Sequence, residues 1–247
     1  MNDKIVLLVG YTGGIGYKTA KVLLNEGYSV IGTYNKQTEK IDPKGGNFTK
    51  VQVDLNSSES IKKLDEVLKG KSLYAIVNCA GIVKFEGASL EENIAIWNET
   101  LAVNLSSNFY LARLVGKKLV ENGRFIMISS TDSYYGGSIT ASYAVSKAGV
   151  NSLTKSLSLL FRNKKIRVNA IAPGWVSTPM IEGNSEEFYK KLAETNPLNR
   201  IAEPEDIAKA IKFLLSNDSD YINGQVITLD GGYTNQDPTL LIEEGTK

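Results

Sequence analysis

The chain has 247 residues, with 28 Lys and Arg against 27 Asp and Glu, no histidine and one cysteine, Cys79. The missing histidine excludes a Ser-His-Asp triad, a Cys-His dyad and a His-ligated metal, and a lone cysteine excludes an internal disulfide. Acid–base chemistry falls to Tyr, Lys, Asp or Glu. The near-neutral charge, with no long block of one sign, argues against a nucleic-acid or anionic-membrane surface.

Met1-Asn2-Asp3-Lys4 leads straight into an apolar run at 5–9, too short for a signal peptide or a membrane span. A cytoplasmic protein is expected. Further short β-branched runs follow at 29–34, 49–53, 74–77, 124–129, 167–171 and 225–229. Between them lie amphipathic stretches that predict helices at 14–25, 58–68, 94–120, 143–161, 186–194 and 203–215. Alternation of this kind predicts an α/β chain with a doubly wound, seven-stranded parallel sheet and helices on both faces. Pro204, followed by Glu205 and Asp206, suits a helix start. Residues 35–48, with Pro43, Gly45 and Gly46, leave room only for a loop or a single turn. No repeat and no Pro-, Gly- or Ser-rich linker divides the chain, so one domain spans 1–247. Within it, 180–199 reads as a short polar lid and 234–247 as a frayed tail.

Two motifs carry chemistry. Gly10-Tyr11-Thr12-Gly13-Gly14-Ile15-Gly16 lies between the first strand and an amphipathic helix. A dinucleotide pyrophosphate needs a close backbone and a helix N-terminus with free N–H groups. Gly10 permits the turn, Gly14 the close approach, and Gly16 the packing of helix on strand. Tyr143-Ala144-Val145-Ser146-Lys147 opens the fourth helical stretch, and residues four apart share one helix face. There an ammonium can bias a phenol, otherwise a poor base at neutral pH, towards phenolate.

Together these motifs resemble the short-chain dehydrogenase/reductase superfamily, from Lys4 to Gly232. Asn78-Cys79-Ala80-Gly81 is similar to the family's Asn-Asn-Ala-Gly, Val103-Asn104 to the segment bearing its Asn, and Ser130 lies thirteen residues before Tyr143, the family spacing. Pro173-Gly174-Trp175-Val176-Ser177-Thr178 is similar to the nicotinamide-side loop. Pro204 to Ala208, Tyr221 to Gln225 and Asp230-Gly231-Gly232 are similar to the 3-oxoacyl-[acyl-carrier-protein] reductase branch. Val9 departs from the family's usual Thr, and Cys79 from its second Asn.

The resemblance implies a Rossmann fold and hydride transfer between nicotinamide and a carbonyl or secondary alcohol. It makes Tyr143 the proton donor or acceptor, and Ser130 the hydrogen-bond partner of the substrate oxygen. Lys147 binds the ribose and lowers the phenol pKa, while Asn104 holds a water linking Lys147 to solvent. Nucleotide contacts fall to Gly10, Thr12, Gly14, Ile15, Gly16, Asn78, Ala80 and Gly81, with Tyr143 and Lys147. Asp54 and Leu55 would meet the adenine, and Pro173, Gly174, Val176 and Thr178 the nicotinamide. The second strand ends at Tyr34-Asn35-Lys36, without an acid to repel a 2′-phosphate, which favours NADP(H) over NAD(H). A dehydrogenase of a cyclic diol, sugar or polyol is the alternative, and a non-catalytic dinucleotide sensor a third reading. Relatives assemble through the two long helices. Here the first carries Leu101, Leu105, Phe109, Ala112 and Leu119, and the second Val150, Leu153, Leu157, Leu160 and Phe161. That apolar excess implies a homotetramer or a homodimer, with Leu157→Glu as the substitution to separate the copies.

Overall fold

A computed structural model describes residues 4–36, 43 and 47–235. Most of the connection expected at 35–48 and the tail at 236–247 lie outside the described residues. Seven strands form one parallel sheet in the order β3-β2-β1-β4-β5-β6-β7. They are β1 (Ile5–Val9), β2 (Ser29–Tyr34), β3 (Phe48–Gln52), β4 (Leu73–Asn78), β5 (Leu119–Ile128), β6 (Arg167–Pro173) and β7 (Val226–Leu229).

Successive side chains on a strand point to opposite faces, so the apolar run of β1 serves two cores at once. Leu7 and Val9 pack on one side with Ile61, Leu64, Leu111, Val150 and Leu157. Val6 and Leu8 pack on the other with Ala20, Leu23, Ile207 and Ile211. The first face is covered by α2 (Ser58–Val67), by the long segment that begins with α3 (Leu90–Leu101), and by α5 (Ala141–Leu160). The second is covered by α1 (Gly14–Asn25) and α7 (Pro204–Leu215). Edge strand β3 breaks the apolar pattern, with Thr49, Lys50 and Gln52 exposed, as does the early part of β5, with Glu121 and Asn122 exposed.

The expected helix at 94–120 needs correction at both ends and inside. It starts earlier, at Leu90, where the Ser89 hydroxyl accepts the Glu92 N–H at 3.3 Å. After α3 the chain winds as a π-helix over Ala102–Ser106, a single α-turn α4 (Ser107–Tyr110), a second π-helix over Leu111–Val115 and a 3₁₀ turn over Gly116–Lys118. Leu119 and Val120 already belong to β5, which therefore begins well before the expected residue 124. Asn122 has φ 56°, and the β4–β5 register shifts between Leu73 and Ala75, an irregularity that separates the early part of β5 from the rest.

Strand order reverses between β2-β1 and β4, both neighbours of β1. A cleft opens outside the carboxyl ends of strands at such a switch point. The elements that follow β1, β4, β5 and β6 all meet there.

Candidate active site

The glycine loop leaves β1 at Gly10, whose φ of 77° is a left-handed conformation that suits glycine. Its N–H reaches the Thr33 carbonyl at 3.1 Å, which ties the loop to the end of β2. A Cβ on Gly10 would lie 2.7 Å from Ala80 Cα, and one on Gly16 only 2.1 Å from the Gly10 carbonyl oxygen. One on Gly14 would lie 2.8 Å from Thr178 Cγ2, so the start of α1 touches the loop after β6.

The first turn of α1 differs from those of most of the other helices. Its N-cap is Gly13, no side chain caps it, and no acid lies in that turn. The helices α2, α3 and α6 (Glu186–Glu194) are capped by Ser57, Ser89 and Ser185, and in α7 Asp206 accepts the Glu203 N–H at 2.9 Å. The open end of α1 therefore offers unsatisfied N–H groups and a positive dipole to an anion.

Beside it lies a cavity of about 330 Å³. Among the predicted nucleotide residues, Gly10, Thr12, Tyr34, Asn35, Asp54, Leu55, Ala80 and Gly81 line it. Lys36 is exposed on the same bend, while Gly14, Ile15 and Gly16 form the helix start behind it. Asp54 does not cap α2: its Oδ1 takes the Asn56 N–H at 2.9 Å, and Ser57 caps the helix. Asn78 acts from below, accepting the Ala80 N–H at 3.0 Å and donating to Asn108 Oδ1 at 2.8 Å. Thr33, Ile82, Glu99 and Val103 also line the cavity and were not anticipated. Glu99 and Val103 are four apart, a readable spacing, but nothing in the sequence aims that face at a pocket. These features fit a dinucleotide: an open helix end for phosphate, and a cavity at the switch point for the nucleoside.

Pro173 ends β6, and Gly174 follows so close to Asp230 that a Cβ would lie 2.9 Å from Asp230 Cβ. Val176 bridges to Ala202, and the Thr178 hydroxyl donates to the Val176 carbonyl at 3.3 Å. Trp175 and Phe188 meet edge to face with centroids 5.7 Å apart, so α6 leans on this loop through aromatic contact.

Ser130, Tyr143, Lys147 and Asn104 converge at the carboxyl ends of β4 and β5. Lys147 is buried, and its Nζ donates to the Ile128 carbonyl at 2.9 Å and lies 5.5 Å from the centre of the Tyr143 ring. Burial pulls its pKa down to about 8, opposed by the nearby Cys79 and Asp132. Tyr143 keeps part of its surface open, but the protein crowding its phenol pushes the pKa up to about 12. The Ser130 hydroxyl beside it acts in the opposite direction, and Asp132 adds to the rise. Desolvation thus raises the phenol pKa here, where the sequence predicts a lowering.

Ser130 accepts the Asp132 N–H at 3.1 Å, and its own O–H remains for another acceptor. Asn104 sits in the first π-helix and clamps Ile82 on both sides. Its Oδ1 takes the Ile82 N–H at 2.9 Å, and its Nδ2 donates to the Ile82 carbonyl at 2.9 Å and to Ser146 Oγ at 3.1 Å. With both amide hydrogens used, one lone pair of Oδ1 is what it retains for a water. A Cβ on Gly81 would lie 3.3 Å from Lys147 Nζ and 3.5 Å from Asn104 Oδ1, so Lys147 and Asn104 adjoin the nucleotide cavity through Gly81. Burial pushes the Cys79 thiol up to about 12, which makes it an inert neighbour rather than a nucleophile.

A family model described as Enoyl-(Acyl carrier protein) reductase matches residues 10–234. The chain belongs to the short-chain dehydrogenase/reductase family. It is an oxidoreductase of that family, with the Rossmann-type sheet expected from the sequence. It is 34% identical over 249 residues to the 2-dehydro-3-deoxy-D-gluconate 5-dehydrogenase of Bacillus subtilis, covering 94% of this chain and 95% of the relative. It is 32% identical over 242 residues to a 3-oxoacyl-[acyl-carrier-protein] reductase of Thermotoga maritima, covering 94% and 98%. Among solved structures, a short chain dehydrogenase family protein from Francisella tularensis superposes with a TM-score of 0.84 at 28% identity, over 95% of this chain and 100% of that one. A variant of actinorhodin polyketide ketoreductase with NADPH gives 0.84 at 25% identity, over 95% and 98%. No described helix of this short-chain dehydrogenase/reductase is long and apolar enough to cross a membrane.

Proposed function

We propose that the protein reduces a carbonyl group with NADPH, in the manner of a 3-oxoacyl-carrier-protein reductase, through Ser130, Tyr143, Lys147 and Asn104. The observation that carries this reading is the phenol of Tyr143 beside Ser130 and Lys147, with Lys147 and Asn104 against Gly81, which lines the nucleotide cavity. When bound, the dinucleotide supplies the hydride. The side chains handle the proton and the oxygen.

A phenol pushed up to about 12 is uncharged at neutral pH, so Tyr143 starts as an acid, the form that reduction requires. Ser130 donates to the substrate oxygen as negative charge develops on it. As the proton leaves Tyr143, the Lys147 cation near its ring stabilises the phenolate. Asn104 keeps Ile82 and the neighbouring Gly81 in place and offers its remaining lone pair to a water near Lys147.

NADPH is preferred because β2 ends in Tyr34-Asn35 with the cation Lys36 beside it, where a carboxylate would repel a 2′-phosphate. Fluorescence titration with both nucleotides tests this; tighter binding of NADH rejects it. Tyr34→Asp should move the preference towards NADH by about tenfold, since a carboxylate there accepts from ribose hydroxyls and repels a 2′-phosphate.

A second reading, a dehydrogenase of a sugar or polyol, is favoured by Asp132. Its carboxylate accepts no hydrogen bond among the described residues, and it influences both Tyr143 and Lys147. A free acceptor there suits a substrate with additional hydroxyls, and one relative is a dehydrogenase of a sugar acid derivative. Steady-state rates on acyl thioester ketones against sugars, polyols and cyclic alcohols separate the two. Turnover on hydroxylated substrates alone would overturn the reductase reading.

The protein is proposed to be cytoplasmic and to assemble as a homotetramer. Trp97 of α3, Phe109 of α4, and Val145 and Leu159 of α5 are all exposed, apolar area that a second copy would cover. Leu157, in contrast, is 2% exposed and belongs to the core, so Leu157→Glu would break the fold before any interface. Val150, Ala112 and Leu119 are core residues too. Leu159→Glu is the proper probe.

A further inference from the structure

The helix that carries Tyr143 and Lys147 is not capped by its own N-cap residue. Its N-cap Thr140 makes no side-chain cap bond. Its first turn is held from elsewhere: Glu86 Oε2 accepts the Ala141 N–H at 2.9 Å, and Glu86 Oε1 accepts the Ser142 N–H at 2.7 Å. Tyr143 is the next residue. The Glu86 N–H donates in turn to the Ile139 carbonyl at 2.9 Å, so one residue grips both sides of the entry to α5.

Glu86 belongs to the irregular segment between β4 and α3, which side chains fasten at close intervals. Asn104 holds Ile82, Glu99 pairs with Lys84, and Asn93 bonds Gly87 through both its N–H and its carbonyl at 2.9 Å each. Asn104 also reaches α5, further along at Ser146, but among the described residues it is Glu86 that takes the N–H groups of its first turn. The Ser142 hydroxyl, in a geometry short of an ordinary hydrogen bond, and the N–H groups of Ser142 and Ala141 hold the Glu86 carboxyl below the usual carboxylate range. It is therefore an anion at the positive end of a helix dipole, and both its oxygens are engaged.

We infer that Glu86 is a positioning residue for the reaction, a cap supplied from another segment that fixes the first turn of α5 and with it the reach of Tyr143 into the cleft. The inference rests on the proposed role of Tyr143. The charged groups that face the phenol are Asp132, from the turn after β5, and Lys147, on its own helix; Glu86 is not one of them. Its action is geometric. A misplaced proton donor slows the chemical step and leaves nucleotide binding, which depends on α1 and the glycine loop, intact.

The test uses Glu86→Ala and Glu86→Gln in the full chain. Glu86→Ala should lower kcat at least tenfold, with KM and NADPH affinity within about twofold of the parent protein. Glu86→Gln, which keeps an oxygen acceptor, should recover more than half of the lost rate on a logarithmic scale. Amide hydrogen exchange provides a readout without turnover: Ala141 and Ser142 should exchange at least tenfold faster in Glu86→Ala than in the parent. Unchanged exchange at those two amides, or a kcat within threefold, overturns the inference. So does a parallel loss of kcat, nucleotide affinity and melting temperature, which marks a general packing role. Tyr143→Phe in the same assay isolates the underlying reading: if it turns over normally, the assigned proton donor is wrong, whereas the exchange result still reports the cap.

Discussion

Helices α1 and α5 both begin at the carboxyl edge of the sheet, and their first turns are completed in opposite ways. In α1 the N-cap is a glycine, no side chain approaches and no acid follows. In α5 the N–H groups of Ala141 and Ser142 are both taken by the Glu86 carboxylate. A side-chain cap is worth about 1 kcal/mol, so leaving α1 open forgoes stability of that order. The gain is vacant donors for a ligand phosphate. At α5 the demand is different, because the next residue is Tyr143 and its position must be set before any ligand arrives. On the proposed reading, one helix end serves binding and the other placement.

The largest effect expected from breaking this division is at the placed end. Tyr143→Phe should cut kcat by at least about a hundredfold, in the range of general acid catalysis, while NADPH affinity stays within twofold. Turnover close to that of the parent would show that the phenol is not the proton donor. At the binding end, Gly16→Ala forces a Cβ to within 2.1 Å of the Gly10 carbonyl oxygen. The glycine loop must move, and nucleotide affinity measured by titration should fall by more than about tenfold, a loss of more than about 1.4 kcal/mol. Retained affinity would mean that the open end of α1 is not the phosphate site.

A third variant sharpens the comparison through stability. Lys147 titrates at about 8 in the folded protein against an ordinary 10.5. Below pH 8 the folded state therefore holds a buried cation at a cost, and the unfolded chain does not. Between pH 8 and 10.5 the folded state binds fewer protons than the unfolded one, so this cost disappears as pH rises. Lys147→Met should consequently be more stable than the parent at pH 7, by roughly 1–2 kcal/mol after losing the bond to Ile128, and this advantage should vanish by pH 10.5. Urea melts across that range decide it; a constant difference at all pH values rules out the charge as the cause. The smallest expected change lies on the outer face of α5. Leu159→Glu should reduce the mass seen in light scattering, and a fully assembled variant would remove that face from the interface.

The two regions also differ in how well the sequence announces them. The bounds of β1, β2, α1 and α6 were legible to the residue, because glycines, apolar runs and a serine cap mark them. The long helix was not. Each π-turn adds a residue to the winding, about 100° of rotation on a 3.6-residue period, so positions that share a face in an ideal helix part company. Hence Leu105 packs on the core while Phe109, four residues on, is exposed. The motif residues Ser130, Tyr143 and Lys147 were legible through their spacing. Glu86 was not: its partners lie 55 and 56 residues away, and no local pattern marks a cap delivered across that distance.

The vacant first turn of α1 has a consequence outside catalysis. Any ligand that binds only the folded chain raises its stability by mass action, by about 2.7 kcal/mol at a concentration a hundredfold above Kd. Here the donors awaiting that ligand are part of the fold itself. The fraction of chains caught unfolded by a cellular protease should then decline as nucleotide accumulates, so that the lifetime of the enzyme follows the abundance of its coenzyme.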